Sequence, residues 1–167
     1  YPGFVAFGER RIDAVLGVGA DLSAIDLLDE LVRKSLVTAQ LDTSRFTISA
    51  SVRTFARFAH AQPEANALAS AMWLADAAGA WAHAAERGDL DAIRHATSAL
   101  IAEAPNLRAA TQAALTFDPD LAERLVYAQG PLWLDVGPIE EALAVTTRAL
   151  GVCRTARLEL LRGRLLL

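Results

Sequence analysis

Cysteine is almost missing from this chain. Of 167 residues only Cys153 carries a thiol, which excludes an internal disulfide and a cysteine-built zinc site and fits a reducing compartment. No stretch approaches the roughly 20 apolar residues needed to span a bilayer, and the first residues lack the charged and apolar regions of a secretory leader. A soluble, cytoplasmic protein without a membrane partner is expected. Aromatic residues make up 7%, with six Pro and ten Gly, a composition unlike low-complexity or collagenous chains. Positive charge is short as well: 16 basic against 20 acidic residues give a formal charge of -4, which argues against gripping nucleic acid or anionic lipid through the overall field. GxxxxGK[ST] does not occur, so the amide cradle and lysine that hold nucleotide phosphates are absent, and there is no HExxH. The expectation is a non-enzymatic chain with no cofactor or metal of its own.

What is present is core material. Hydrophobic residues reach 53% and charged ones 22%, enough to exclude a disordered composition. The chain opens on Tyr1-Pro2-Gly3 and stops in Leu165-Leu166-Leu167, which reads as a piece of a longer polypeptide. It divides near residue 61. In 1–61, GERRIDAVLG (8–17) places Ile12, Val15 and Leu16 on one helical face. A second helix is predicted from Ser23 as N-cap, with Asp26 three residues on and Ile25, Leu28, Leu31 and Val32 at core spacing, running to about Lys34. LVTAQL (36–41) then alternates with Val37, Ala39 and Leu41 on one side, and RFTIS (45–49) answers with Phe46 and Ile48, a hairpin. Ser49 or Ser51 caps a third helix striped by Val52, Phe55, Ala56 and Ala59. Phe46, Ile48, Val52 and Phe55 are predicted to form a core with Leu28, Leu31 and Val32. Helix, helix, two-stranded wing and closing helix is the pattern of a winged-helix module.

Residues 62–167 read as helix. Eleven of the 21 residues from Ala65 to Ala85 are alanine, giving strong helix propensity behind Pro63. Gly88 stops that helix and Asp89 caps the next, with Leu90, Ile93, Leu100 and Ile101 at helical spacing and Pro105 expected to kink or restart it. Asp118-Pro119, Gly130-Pro131 and Gly137-Pro138 punctuate the remainder. The predicted fold class is therefore mainly α: a winged-helix module with a small β-hairpin in 1–61, then a solenoid of TPR-like helical hairpins in 62–167.

Chemistry-bearing residues are few. His60, His83 and His95 lack ligand spacing. Cys153 has Arg154 and Arg157 nearby, a setting that lowers a thiol pKa, though a lone helical Cys also reads as a small hydrophobe. Trp73 and Trp81, eight apart, form either an aromatic shelf or the bulk an alanine-rich helix needs for a core. Arg148, Arg154, Arg157, Arg162 and Arg164 face only Glu159 over the last 20 residues, a candidate surface for an acidic partner or a solvated face. Leu158, Leu161, Leu165 and Leu166 form an apolar stripe with no downstream repeat to cover it, so self-association through 155–167, or fraying there, is expected.

Two stretches carry a family resemblance. LLDELVRKSLVTA (27–39) followed by RFTISASVRTFAR (45–57) resembles the winged-helix segment after the nucleotide-binding domain of bacterial signal-transduction (STAND, NB-ARC-type) ATPases. ALIAEAPNLRAATQAAL (99–115) with DPDLAERLV (118–126) is similar to the start of their repeat arm, and YPGFVAFGERRIDAVLG (1–17) fits the lead-in. The resemblance implies a regulatory segment of a multidomain signalling or transcriptional regulator. Its partners would be an ATP- or ADP-binding core of the same polypeptide and an effector protein or small ligand on the helical arm; the parent would be an ATPase or carry a cyclase. Where eukaryotic relatives have a Met-His-Asp triplet near the nucleotide phosphate, this chain has Ile48-Ser49-Ala50. The histidine and aspartate are replaced, leaving Ser49 as a candidate phosphate donor beside its role as helix cap. The alternative is a DNA-binding winged-helix regulator with a helical ligand-binding domain. Against it, the helix that would enter the groove carries Asp26, Asp29 and Glu30 against Arg33 and Lys34, the reverse of what phosphate contact needs.

Overall fold

The structure, a computed structural model, describes residues 24–40, 45–59, 63–88 and 90–167. The helix expected over 8–17, the Ser23 and Asp89 caps, Leu41 and His60 lie outside them. Among the described residues the chain is mainly helical, with one two-stranded antiparallel hairpin. None of the described helices is long and apolar enough to cross a membrane.

The first helix, α1 (Ala24–Arg33), buries Leu28, with Leu31 and Val32 half-buried beside it. A left-handed residue ends it. Ser35 adopts a positive φ of 57°, the Ser35 N–H donates to the Val32 carbonyl and the Leu36 N–H to the Leu31 carbonyl, the paired bonds of a Schellman stop. That reversal feeds β1 (Val37–Gln40), which pairs with β2 (Arg45–Ile48) in the register Val37↔Ile48 and Ala39↔Phe46. The alternation of Val37 and Ala39 against Phe46 and Ile48 thus selects one face, and Val37, Phe46 and Ile48 meet Leu28 of α1 on it. Ser49 caps α2 (Ala50–Ala59), accepting from the Val52 N–H.

Two expectations about this unit are corrected. Phe55 is 73% exposed rather than in the core; it sits three residues past half-buried Val52, but on the solvent side of α2, and the small cluster is filled by Leu28 and Val37 instead. Ile25 is also exposed, since a helix of this length buries one narrow stripe and Leu28, Leu31 and Val32 occupy it.

The rest is an all-helical body. Helix α3 (Pro63–Arg87) starts on its proline and buries Ala67, Ala71, Leu74, Ala75, Ala78 and Ala82, a 3.6-period stripe of mostly small side chains. It packs antiparallel on α4 (Leu90–Phe117) across the tight turn at Gly88, where a Cβ would lie 2.5 Å from the Ala92 Cβ and 2.6 Å from the Ala84 carbonyl oxygen. Six buried residues of α4 repeat at four and three, Ala96, Leu100, Glu103, Leu107, Ala110 and Ala114, with Asn106 and Thr111 buried beside them. That seam leaves Leu90 and Ile101 outside it, 76% and 51% exposed, contrary to the spacing argument. Pro105 does not restart the chain. It lies within α4, because Leu100 and Leu107 on either side are both fully buried in one cluster with α3.

Asp118, accepting from the Leu121 N–H, caps α5 (Pro119–Ala128), which lies across both long helices. The short α6 (Gly130–Asp135) follows and turns at Gly137, whose Cβ would meet the Trp133 backbone at 2.6 Å. Helix α7 (Ile139–Val152) buries Ala142, Thr146 and Ala149, and α8 (Ala156–Leu165), capped by Thr155, packs on it. The C-terminal stripe is corrected here. Leu158, Leu161 and Leu165 are all buried in a cluster with Val126, Trp133, Ala142 and Ala149, so α8 folds back onto its own arm. Leu166 alone of the four is exposed, at 64%.

Candidate binding groove

Two cores meet along the α5–α6 connection. Leu132 belongs to the cluster of α3, α4 and α5, and its neighbour Trp133 to the cluster of α7 and α8. Where the cores diverge toward solvent, α4, α6 and α7 enclose a groove of about 330 Å³. Its walls are apolar, made by Ile101, Ala104, Leu132, Trp133, Val136 and Val145. Its floor is polar. Gln129, 5% exposed, sits between α5 and α6 and directs its Nε2 to the Thr111 hydroxyl at 3.1 Å and to the Leu125 carbonyl at 2.8 Å.

The groove mouth is bridged twice between α4 and α7. Arg108 donates from Nε and Nη2 to the two carboxylate oxygens of Glu141 at 2.6 and 3.0 Å, the fork geometry that fixes orientation as well as distance. One turn further along α4, the Gln112 Oε1 accepts from Arg148 at 3.0 Å. Arg108, Gln112 and Glu141 escaped sequence reasoning because Arg108 and Glu141 stand 33 positions apart and no local motif joins them. The one signal was Gln129 before Gly130-Pro131, a polar residue at a helix break.

The residues singled out in the sequence are scattered. Ser49 is exposed and engaged as the cap of α2, with Ser51 Oγ 3.1 Å away. Of the five arginines, Arg148 bridges the groove, Arg154 pairs with Glu159, and Arg157 lies 5.7 Å over the Tyr127 ring. Arg162 is exposed, and Arg164 borders a separate shallow depression with Glu86, Pro131 and Asp135. They are not brought together on one concave face. Cys153 is a half-buried free thiol at the end of α7. Burial pushes its pKa up, with the charges of Glu123 and Asp120 adding to the rise, which is the reverse of the lowering expected from Arg154 and Arg157. His83 and His95 are exposed, and no group of three metal-ligating side chains occurs among the described residues. Trp73 and Trp81 are half-buried against the first core, supplying the bulk that the alanines of α3 lack.

One further cluster ties the hairpin to the arm. Arg45 on β2 reaches α4, where its Nη1 lies 2.6 Å from the Glu103 Oε1 and its Nη2 donates to the Ala102 carbonyl at 3.3 Å. Asn106 donates to the other Glu103 oxygen at 2.6 Å. The site falls in the turn before Pro105, which lacks the N–H that would otherwise bond to the Ile101 carbonyl.

Comparison with family models, with curated protein sequences and with solved structures finds no match to the chain.

Proposed function

We propose that the chain is a non-catalytic regulatory and interaction segment of a larger ATPase-type signalling or transcriptional regulator, in which a winged-helix-like unit couples a nucleotide-binding core to a helical sensor arm. The observation that carries this reading is the Arg45–Glu103–Asn106 clasp. A coupling element needs a stiff handle on what it moves, and here a strand of the small unit is anchored by a buried ion pair in the middle of the longest helix. The order helix, hairpin, helix supports the winged-helix likeness. The TPR likeness rests on α7 and α8, of 14 and 10 residues, with Ala142 and Ala149 buried seven apart. Helices α3 and α4, at 25 and 28 residues, are too long for a repeat of about 34 residues, so in this reading they form a stalk on which the repeat-like hairpin sits.

Direct DNA binding is disfavoured by charge. Lys34 and Arg33, the cations at the end of α1, both lie beside Glu30, at 2.7 and 4.0 Å, and that pairing holds the Glu30 carboxyl below its ordinary pKa, chiefly through the Lys34 hydrogen bond. Titration calorimetry with Mg-ATP and a gel shift with duplex DNA at low salt are expected to show no binding. Sub-micromolar affinity for ATP would overturn the reading, and the same affinity for DNA would replace it with a DNA-binding winged-helix regulator.

A further inference from the structure

Gln129, a buried residue that lines the groove, carries a hydrogen-bond acceptor that cannot be exchanged for a donor. Gln129 spends both Nε2 protons, on Thr111 and on the Leu125 carbonyl. A backbone carbonyl only accepts, so rotating the amide would set two acceptors against each other, and the carboxamide is fixed by its own hydrogen bonds. Oε1 is left with no partner among the described residues, on a residue that lines the groove. Around it the walls are unspent apolar surface, with Ile101 and Val136 at the mouth 51% and 62% exposed. The two bridges between α4 and α7 hold the walls apart, so the space is formed before anything enters it.

We propose that this groove binds a small, neutral, planar aromatic compound carrying a single N–H or O–H donor, of the indole or phenol type, with the ring on the apolar walls beside Trp133 and the donor on the Gln129 Oε1. Size supports one ring system: a dry apolar cavity of roughly 150 Å³ accepts benzene, and this groove, at about 330 Å³, accepts a ring system rather larger. Neutrality follows from the walls, whose apolar side chains offer a charge no partner, and from the mouth, where the exposed Arg108 and Glu141 already cancel each other's charge. The donor requirement follows from Oε1, since a site built to pair a polar group rejects the analogue lacking it. The inference deepens the sensor-arm reading by naming a site and a ligand class. It is tested apart from that reading, because ATP or DNA binding elsewhere on the chain would leave this result standing.

The test is a ¹H–¹⁵N NMR titration of the whole chain with indole and with 1-methylindole, which keeps the ring and loses the donor. Indole is expected to bind with a sub-millimolar Kd and to shift the Thr111 amide, the Gln129 side-chain amide and the Trp133 indole resonance. 1-Methylindole is expected to bind at least about tenfold more weakly, the value of one lost hydrogen bond, and Val145→Phe, which fills the groove, to abolish both. The proposal is overturned if indole leaves these resonances unmoved, if its shifts fall on residues outside the groove, or if the two compounds differ by less than tenfold. The comparison of the two compounds on the unmodified chain decides even where Val145→Phe disturbs folding.

Discussion

A carboxylate in the seam between two helices destabilises the pair unless it is matched. Glu103 occupies the seam position between Leu100 and Leu107 at 6% exposure, and is matched twice, by Arg45 and by Asn106. Removing the arginine strands a buried carboxylate without its cation. Arg45→Met is therefore expected to cost about 3 kcal/mol, the low end for a broken buried pair because the arginine side chain keeps 19% exposure. Replacing both partners, as Arg45→Met with Glu103→Gln, should restore most of it, since no charge is then stranded and the amide carbonyl at position 103 still accepts from the buried Asn106. Urea denaturation of the two variants checks this; a single variant as stable as the parent would mean that the clasp holds nothing. Thr146 shows the opposite arrangement, a fully buried hydroxyl with no hydrogen-bond partner among the described residues, on the same face of its helix as Ala142 and Ala149.

Elements divide by whether their partners are near in sequence. The hairpin was legible because β1 and β2 are neighbours whose alternation specifies a register, and Val37 opposite Ile48 is what that alternation demands. The Ser49 cap and the helix start at Asp118-Pro119 were legible for the same reason, each cap acting within three residues of itself, and the Thr155 cap, equally local, went unread. Faces were not legible. Leu90, Ile101 and Phe55 satisfy helical periodicity yet point to solvent, because periodicity states which residues share a face and not which face finds a partner. The groove was invisible for a related cause, its floor and bridges being drawn from helices far apart in sequence. The outcome for α2 is concrete. With Phe55 at 73% exposure, Phe55→Ala should change stability by no more than about 0.5 kcal/mol, as surface substitutions do, instead of the roughly 3 to 5 kcal/mol of a buried phenylalanine. A thermal melt lowered by more than a few degrees would show that α2 buries this ring against something outside the described residues.

At the scale of the molecule, the two helical cores are distinct clusters built on shared elements. Helix α5 turns Leu121, Ala122, Leu125 and Ala128 toward α3 and α4, and Val126 toward α7 and α8. Helix α6 repeats the split with Leu132 and Trp133. The α7–α8 hairpin, residues 139–165, falls below the roughly 40 residues at which a chain without disulfide or metal sustains its own fold, so its stability is borrowed from α5 and α6. Borrowing runs both ways, because Gly130 at the start of α6 lies against the Leu161 side chain, its Cβ position 3.0 Å from Cδ1. The expectation is one cooperative unit. Leu74→Ala, in α3, and Leu158→Ala, in α8, each remove a fully buried leucine and should each cost about 2 to 5 kcal/mol. More tellingly, Leu158→Ala should lower amide-exchange protection in α3 and α4 by as much as in α7, since opening α8 exposes the α5–α6 face on which the first core closes. Protection lost only in α7 and α8, with α3 unchanged, would mean that the C-terminal hairpin opens alone and that the arm is two units sharing a helix.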